Sequence, residues 1–421
     1  MKLYYENNGL PLPVNSFLYA SDEDMRWWME ARFGLFVHWG PGSLTGGDLS
    51  WCRISDRPGD HTFVADPKVP ACDYDMLYKR FNPVLFDAGE WVKTIKLAGM
   101  KYIVVVAKHH DGFCLFDSRF TDYKSTADDC PCGKDIVREL SDACHRAGIK
   151  FGVYYSGRDW YHPDYLKGDN SKYLAYYTAQ VAELLTGYGK IDLLWFDHIG
   201  GEHKLWNPDT ILRLARTLQP GIIINDRLHR SVHHGALAGY EADFSSPEQR
   251  VGNFDNSRAW ESCMCLVDGV WAYRPGGKMM SFAECIRALV SCAGGDGNLL
   301  LNTGPMPDGR IEPRQCDRLG EIGSWLKKYG ESIYATRGGP VLPTEDYVCT
   351  CRGNVYYLHI LNPGSYDITG IPGNVKEIIV LSGTASVNVF KESMVIKNAD
   401  GGIDCDTIIR VTTDQEYYKN N

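Results

Sequence analysis

Polar and aromatic side chains follow several short apolar segments of the 421-residue chain, at the points where these segments end. Carboxylates that come from separate segments can act as the nucleophile and the acid/base of glycoside hydrolysis. Imidazole and guanidinium groups can bind hydroxyls, and aromatic rings can stack on the apolar face of a sugar. We therefore expect a polar pocket with aromatic walls, whose residues include His38, Trp39, His109, His110, Asp111, Tyr154, Tyr155, Asp197, His198, Asp226, Arg227, Asp243, Glu248, Trp271 and Asn302.

Other chemistries lack their sequence signals. The chain has no glycine-rich phosphate loop, no H-E-x-x-H and no G-x-S-x-G. One alternative, a metal-dependent amidohydrolase, needs H-x-H after the first segment, where this chain reads HWG. A second, a catalytically inactive sugar-binding module, is opposed by the presence of several candidate carboxylates. His229 and His233 have the spacing of metal ligands on a helix, with His234 beside them, but no Cys or Glu completes a tetrahedral set. We expect no metal and no cofactor.

The segments that must position these side chains are eight in number. They lie at 33–40, 102–112, 151–157, 191–197, 222–227, 240–246, 269–273 and 298–304. Continuous apolar runs are typical of strands covered on both faces, as in a parallel sheet. Helical patterns separate them at 87–99, 134–148, 171–187, 207–218, 279–292 and 313–329. This alternation predicts an α/β fold, a (β/α)8 TIM-like barrel over residues 1–335, with its active site at the carboxyl ends of the strands.

The texture of the chain changes after Thr336. Short β-rich runs at 341–342, 355–358, 377–381, 387–390, 395–396 and 408–411 are separated by Gly, Asn, Asp and Pro, and no helical pattern occurs among them. This spacing predicts a small C-terminal antiparallel β-sandwich over residues 336–421.

Composition restricts the partners. The 53 acidic residues outnumber the 44 basic ones and give a net charge of −9, without a Lys/Arg run. We therefore expect neither nucleic acid nor a membrane surface as partner. No run of about 18 apolar residues and no signal-peptide pattern is present. Three pairs of cysteines have the spacing C-x-C, in which the thiols lie too close together for the usual C-x-x-C geometry of zinc and redox sites. We expect reduced thiols and a cytoplasmic protein.

The motifs, taken in order, resemble those of one known family. FGLFVHWG, YIVVVAKHHDGF, KFGVYYSGRDW, LLWFD, INDR, DFSSPEQ, WESC, WAY and GNLLLNTGPMPDG occur between about residues 20 and 335. Together they resemble the α-L-fucosidases of glycoside hydrolase family 29. The resemblance implies a retaining exo-α-L-fucosidase that removes terminal fucose from fucosylated glycans by double displacement, on a barrel followed by a β-sandwich.

The resemblance also implies roles for individual residues. Asp197, of the WFD block, corresponds to the nucleophile. Glu248 matches the acid/base best, while Asp243 and Glu261 stay open as alternatives. The residues that correspond to sugar-binding positions are His38, His109, His110, Tyr154, Trp195, Arg227 and Trp271.

One position departs from the family pattern. The family usually has Glu-Trp after the HWG block, and the Glu contacts sugar hydroxyls. Here Trp51 matches the Trp, but Ser50 stands in place of the Glu and Asp48 lies two residues before it. Either Asp48 makes the hydroxyl contact in place of this Glu, or the pocket binds that hydroxyl in a different way. The sequence leaves open the glycosidic linkage that is preferred and the oligomeric state, including a homo-oligomer.

Overall fold

Parallel strands form the sheet at the centre of the larger domain. The computed structural model describes residues 19–54, 57–58, 63–197, 205–229, 242–267, 269–390, 393–400 and 405–417. Within these ranges the seven strands of this sheet are Phe33–Val37, Tyr102–Lys108, Lys150–Ser156, Leu193–Asp197, Ile223–Ile224, Glu261–Cys265 and Asn298–Thr303. The first strand lies between the second and the last, and neighbouring strands run parallel throughout. Ile223–Ile224 and Glu261–Cys265 are the two outer strands.

A short segment joins the two outer strands into a ring. Phe244 bridges Asn225 in parallel, and Ser245 bridges Trp260 in the same sense. The predicted strand 240–246 is thus reduced to these two bridges, and its first two residues lie outside the described part of the chain. Seven strands and one bridged segment confirm the predicted (β/α)8 barrel.

The seventh predicted strand, 269–273, is wrong. The strand in this place is Glu261–Cys265, and 269–273 is a turn that begins at Gly269 with a φ of 66°. Glu261–Cys265 (ESCMC) does not read as a buried strand because its inward positions carry a carboxylate and two thiols. Those groups are nevertheless buried inside the barrel, where other side chains bond to them.

Alternation along each strand divides the core of the barrel into two layers. Phe36, Val104, Tyr154 and Trp195 point inward and fill the barrel, and Trp28 closes it from below against Phe244. The residues between them point outward against the surrounding helices. The helices are Asp22–Ala31, Ala71–Tyr74, Ala88–Leu97, Ile136–Ala147, Ser171–Gly187, Pro208–Leu218, Phe282–Gly294 and Pro313–Tyr329. Burial on both faces explains why these strands read as continuous apolar runs.

Two antiparallel sheets follow the barrel. The larger has the order Arg337–Gly338, Tyr347–Arg352, Val355–Ile360, Thr407–Thr413 and Val375–Ser382, and the smaller has the order Gly364–Thr369, Ser393–Ala399 and Ser386–Val389. Apolar side chains of both sheets, among them Tyr356, Leu358, Ile368 and Ile396, form one shared core. This confirms the predicted β-sandwich. The predicted strand at 341–342 is wrong, because residues 340–341 form a bend between the strands Arg337–Gly338 and Tyr347–Arg352.

A buried ion-pair network joins the barrel to the sandwich. Asp296, in the turn before the last barrel strand, accepts from Arg32 at 2.6 Å and from Arg337 Nε at 2.9 Å. It also accepts from the backbone N–H of Gly338 at 3.0 Å. Burial alone would raise the pKa of Asp296, but the two guanidinium groups outweigh burial and hold this pKa below its usual range.

This network predicts a pH-dependent loss of stability in Asp296→Ala. We expect its free energy of unfolding at pH 7 to fall by about 3–5 kcal/mol, because two guanidinium groups lose a buried partner. A carboxylate with a lowered folded-state pKa stabilises above the unfolded-state pKa, and this contribution is lost as the pH falls through the folded-state value. The deficit should therefore shrink in acid, as measured by urea unfolding. Asp308→Ala, which breaks the surface pair with Arg310, should change stability little. A deficit at pH 7 no larger than in Asp308→Ala would contradict the prediction.

Candidate active site

A pocket opens at the carboxyl ends of the barrel strands, with a volume of about 280 Å³. It is lined by Phe36, His38, Trp51, His109, His110, Tyr154, Trp195, Asp197, Arg227, Glu248 and Trp271. Ten of the thirteen residues proposed from the sequence as catalytic or sugar-binding thus meet in one cavity. The other three, Asp48, Asp243 and Glu261, do not line it.

Asp197 ends the strand Leu193–Asp197, and donors contact both of its carboxylate oxygens. The Tyr154 hydroxyl donates to Oδ2 at 2.7 Å, and Arg227 Nη1 donates to Oδ1 at 2.8 Å. Burial, followed by the charge of Asp197, raises the pKa of Tyr154 well above its ordinary value, so this phenol stays a neutral donor. Arg227 supplies the opposite charge that a buried carboxylate requires. Asp197 is therefore a fixed, charge-compensated carboxylate at the wall of the pocket.

Arg227 also binds the second carboxylate of the pocket. Its Nη2 lies 2.8 Å from Glu248 Oε2, and its guanidinium lies over the Trp195 ring at 4.5 Å from the centroid. Arg227 Nε donates to Ser246 Oγ at 3.0 Å. Burial would lower the pKa of Arg227, but Glu248 and Asp197 outweigh it and raise this pKa. One planar guanidinium thus sets the spacing of the two carboxylates.

The two carboxylates differ in their access to solvent. The side chain of Asp197 is 8% exposed, whereas that of Glu248 is 30% exposed. Asp197 is the recessed group and Glu248 is the one nearer the mouth. Glu248 is thus the carboxylate that water reaches more readily, and the acid/base of a retaining mechanism is the group that activates water.

Neither Asp243 nor Glu261 lines the pocket. Asp243 accepts from Arg216 at 2.6 Å and from the backbone N–H groups of Ala20 and Ile224, each at 2.7 Å. Glu261 lies inside the barrel beneath the pocket and accepts from the Tyr102 hydroxyl and from Trp195 Nε1. Burial raises the pKa of Glu261 to about 7. Of the three acid/base candidates, the geometry therefore favours Glu248.

The hydrogen-bond network fixes the tautomer of His38. Asn302 Nδ2 donates to the carbonyl of Trp271 at 2.6 Å, so the Asn302 oxygen faces His38 Nδ1 at 2.7 Å and accepts its proton. Burial lowers the pKa of His38 to about 4, although this hydrogen bond opposes the shift. His38 is thus neutral at pH 7, and its Nε2 is an acceptor for a hydroxyl.

His109 and His110 are held by serine hydroxyls. Ser156 Oγ donates to the carbonyl of Arg158 at 2.9 Å, so it accepts from His110 Nδ1 at 2.7 Å. The other ring nitrogen of His110 lies 3.9 Å from Asp197 Oδ2. Ser50 Oγ bonds to His109 Nδ1. The residue that stands where the family has Glu therefore orients an imidazole of the pocket.

Asp48 supports a wall of the pocket from behind. Its Oδ1 accepts from the backbone N–H groups of Trp271 at 2.8 Å and Ala272 at 3.1 Å. Burial raises its pKa to about 6, although these two hydrogen bonds oppose the shift. The structure places Asp48 beside a neighbouring surface groove and not among the pocket-lining residues, so its contact with a sugar hydroxyl stays a prediction.

Sequence reasoning missed some of the residues that shape the pocket. Phe36 lines it, and the period-two alternation back from His38 could have identified it. Nothing in the sequence marks Ser50 or Ser156 as a partner of a histidine. Among the residues that the structure describes, no group of three or more side chains could hold a metal ion. We also predict that His229, His233 and His234 bind no metal. This prediction falls outside the described residues, because His233, His234 and the side chain of His229 are not described.

Comparisons with known proteins agree on one family. A family model described as alpha-L-fucosidase matches residues 18–331. Human plasma alpha-L-fucosidase is 30% identical over 328 residues, which are 74% of this chain and 69% of that protein. Mouse tissue alpha-L-fucosidase is 32% identical over 336 residues, 74% of this chain and 71% of that protein.

Solved structures are similar over the barrel and the sandwich. Alpha-L-fucosidase isoenzyme 1 from Paenibacillus thiaminolyticus has a TM-score of 0.79 at 33% identity, covering 93% of this chain and 99% of that chain. A family 29 alpha-L-fucosidase from Bacteroides thetaiotaomicron, a trapped covalent intermediate in complex with 2-fluoro-fucosyl fluoride, has a TM-score of 0.77 at 25% identity. That match covers 96% of this chain and 99% of that chain.

Proposed function

Because the chain belongs to the α-L-fucosidase family, glycoside hydrolase family 29, we propose that it hydrolyses terminal α-L-fucosyl residues with retention of configuration. The observation that carries the proposal is the pair of carboxylates, unequally exposed, on one guanidinium: Asp197 recessed and Glu248 toward the mouth. Asp197 is the nucleophile and Glu248 is the acid/base.

The first step forms a covalent intermediate. The Asp197 carboxylate attacks the anomeric carbon, and the bond from this carbon to the leaving oxygen breaks. Glu248, in its neutral form, donates its proton to that oxygen. The products of this step are the released alcohol and a fucosyl ester of Asp197.

The second step releases fucose. The Glu248 carboxylate takes a proton from water, whose oxygen attacks the anomeric carbon and breaks the bond to Asp197. Two displacements on one carbon restore the original configuration. Glu248 is again protonated and Asp197 is again a carboxylate.

The walls of the pocket suit one terminal sugar. Trp51, Trp195, Trp271 and Phe36 provide apolar surface, and His38 Nε2 provides an acceptor for a hydroxyl. The C6 methyl of fucose gains apolar contact against such a wall, whereas a hydroxymethyl group would bury a hydroxyl that lacks a partner. Beneath the pocket the barrel is filled by side chains, which supports action on chain ends.

Product analysis tests this function. The purified protein should release 4-nitrophenol from 4-nitrophenyl α-L-fucoside, and NMR should show α-L-fucose as the first-formed anomer. Initial β-L-fucose would exclude retention, and no release from any α-L-fucoside would exclude the activity. A panel of α-1,2-, α-1,3-, α-1,4- and α-1,6-fucosylated oligosaccharides then gives the linkage. A cytoplasmic location stays a prediction, which fractionation of the source cells would check.

The support that Asp48 gives to Trp271 makes a prediction for two variants. Asp48→Ala removes the acceptor of the backbone N–H groups of Trp271 and Ala272 and loosens the Trp271 wall. A loss of about 1 kcal/mol of binding would raise KM for 4-nitrophenyl α-L-fucoside roughly fivefold. Asp48→Asn keeps an acceptor oxygen and should keep KM. If Asp48→Asn raises KM as much as Asp48→Ala does, the carboxylate contacts the sugar directly.

A further inference from the structure

The segment that carries Glu248 is attached to the barrel by a short parallel ladder. Cys263 N–H donates to the carbonyl of Pro247 at 3.0 Å, and Gln249 N–H donates to the carbonyl of Cys263 at 2.9 Å. Glu248 therefore lies opposite Cys263, in the strand Glu261–Cys265. These two hydrogen bonds set the height of Glu248 relative to Arg227.

The backbone leaves the ladder at the next residue. A regular parallel ladder would continue with a bond from Cys265 N–H to the carbonyl of Gln249. Gln249 instead has a φ of 52°, in the left-handed region that residues other than glycine seldom occupy. The chain therefore turns away from the strand at this residue.

The side chain of Gln249 takes the place of its own backbone. Gln249 Oε1 accepts from Cys265 N–H at 3.2 Å, and Gln249 Nε2 donates to Cys265 Sγ at 2.9 Å. The rest of the residue is exposed to solvent, and it does not line the pocket. A glycine would adopt this backbone conformation more readily, but it would leave Cys265 N–H without this acceptor.

We infer that Gln249 is a positioning residue for the acid/base: its amide closes the ladder immediately after Glu248 and so holds the Glu248 carboxylate at its place beside Arg227. This inference rests on the proposed function, in which Glu248 protonates the leaving oxygen. Proton transfer requires the acid to lie within hydrogen-bond reach of that oxygen, so a loosened segment reduces the transfer before it affects the nucleophile.

Two substitutions separate the amide from the backbone conformation. Gln249→Met keeps the length of the side chain and removes both of its hydrogen bonds, and Gln249→Gly relieves the backbone and removes the side chain. Gln219 is a matched control, because its amide donates to the carbonyls of Leu185 at 2.8 Å and Gly189 at 2.9 Å, at the opposite end of the barrel. Gln219→Met therefore also removes two hydrogen bonds of a side-chain amide, both of them to backbone carbonyls away from the site.

The test compares kcat/KM on a fucosyl oligosaccharide, which has a poor leaving group, with kcat/KM on an activated aryl α-L-fucoside. For both Gln249 variants we expect kcat/KM to fall roughly 10-fold or more on the oligosaccharide and less than about 3-fold on the aryl fucoside. This is the same preference between leaving groups that removal of a general acid causes, but smaller. Gln219→Met should treat the two substrates alike.

Three outcomes would overturn the inference, and they are distinguishable. If Gln249→Met treats both substrates as Gln219→Met does, Gln249 has no positioning role, and the proposed function stands. If Glu248→Ala, run in parallel, shows no preference between leaving groups, Glu248 is not the acid and the inference falls with that assignment. If the wild-type protein cleaves neither substrate, the proposed function itself is wrong.

Discussion

Asp197→Gly is expected to lose turnover by roughly 10⁴-fold or more, the scale found when a nucleophile is removed from an intact site. Tyr154 and Arg227, which now bind its carboxylate, remain to shape the vacated space. Azide can enter that space and attack the anomeric carbon from the side that Asp197 used. The expected product is β-L-fucosyl azide, with inverted configuration, because only one displacement takes place. Product analysis by NMR from an activated aryl α-L-fucoside checks this result.

A control for Asp197→Gly lies near the other end of the same strand. Asp192 is buried, and it accepts from Lys150 Nζ at 2.9 Å and from the backbone N–H of Phe151 at 3.1 Å, away from the pocket. Asp192→Asn should keep turnover close to that of the wild type. Wild-type-like turnover in Asp197→Gly, or the absence of azide rescue in folded Asp197→Gly, would remove Asp197 from the mechanism.

Glu248→Ala is expected to separate substrates by their leaving groups. Cleavage of fucosyl oligosaccharides should fall by about 10²–10⁴-fold, since a sugar alkoxide leaves poorly without a proton. An activated aryl fucoside should still form the fucosyl ester, because a phenolate leaves unaided. Azide should then attack that ester and give α-L-fucosyl azide, with retained configuration. Kinetics on the two substrates, followed by NMR of the azide product, measure both effects.

Glu261 and Asp243 provide the comparison for Glu248→Ala. Glu261→Ala removes the acceptor of Trp195 Nε1 beneath the pocket, so it should slow both substrates alike and show no azide rescue. Asp243→Ala leaves Arg216 without its carboxylate, and we expect it to reduce stability. Should Asp243→Ala show the leaving-group preference and Glu248→Ala lack it, the roles of the two residues would have to be exchanged.

The barrel was predictable where strands are apolar on both faces. Every side chain of Tyr102–Lys108 and Asn298–Thr303 is buried, so the residues of these segments are sufficient to predict strands. Glu261–Cys265 was not predicted as a strand. Its buried Glu261 is stabilised by a hydrogen bond from Tyr102, which lies on a strand far away in the sequence. The apolar residues of 269–273 indicated a strand, but they pack as a turn around Gly269. Local patterns cannot distinguish these cases, since the deciding contacts are between distant segments.

The same distinction holds for the pocket. His38, Asp197 and Arg227 could be proposed because the carboxyl ends of all the parallel strands lie at one end of the barrel. A residue at the carboxyl end of a predicted strand is therefore expected to lie in the site. Asp48 is different: its partner is the backbone of Trp271, 223 residues away, so the choice between sugar contact and loop support depended on the fold. Ser50 likewise acquires its role only through His109. Residues in long connections were the ones whose functions could not be assigned from type and spacing.

The guanidinium between the two carboxylates has a consequence for the whole catalytic cycle. In the proposed double displacement, Asp197 is charged and Glu248 carries a proton before attack, whereas in the ester Asp197 is neutral and Glu248 is charged. A single negative charge thus moves from one side of Arg227 to the other while its countercharge stays in place, within contact of both positions. Arg227 thus contacts one charged carboxylate at each stage of this proposed cycle, so neither half-reaction leaves that charge without a cation beside it. The enzyme can therefore run two opposite proton transfers with one fixed electrostatic environment.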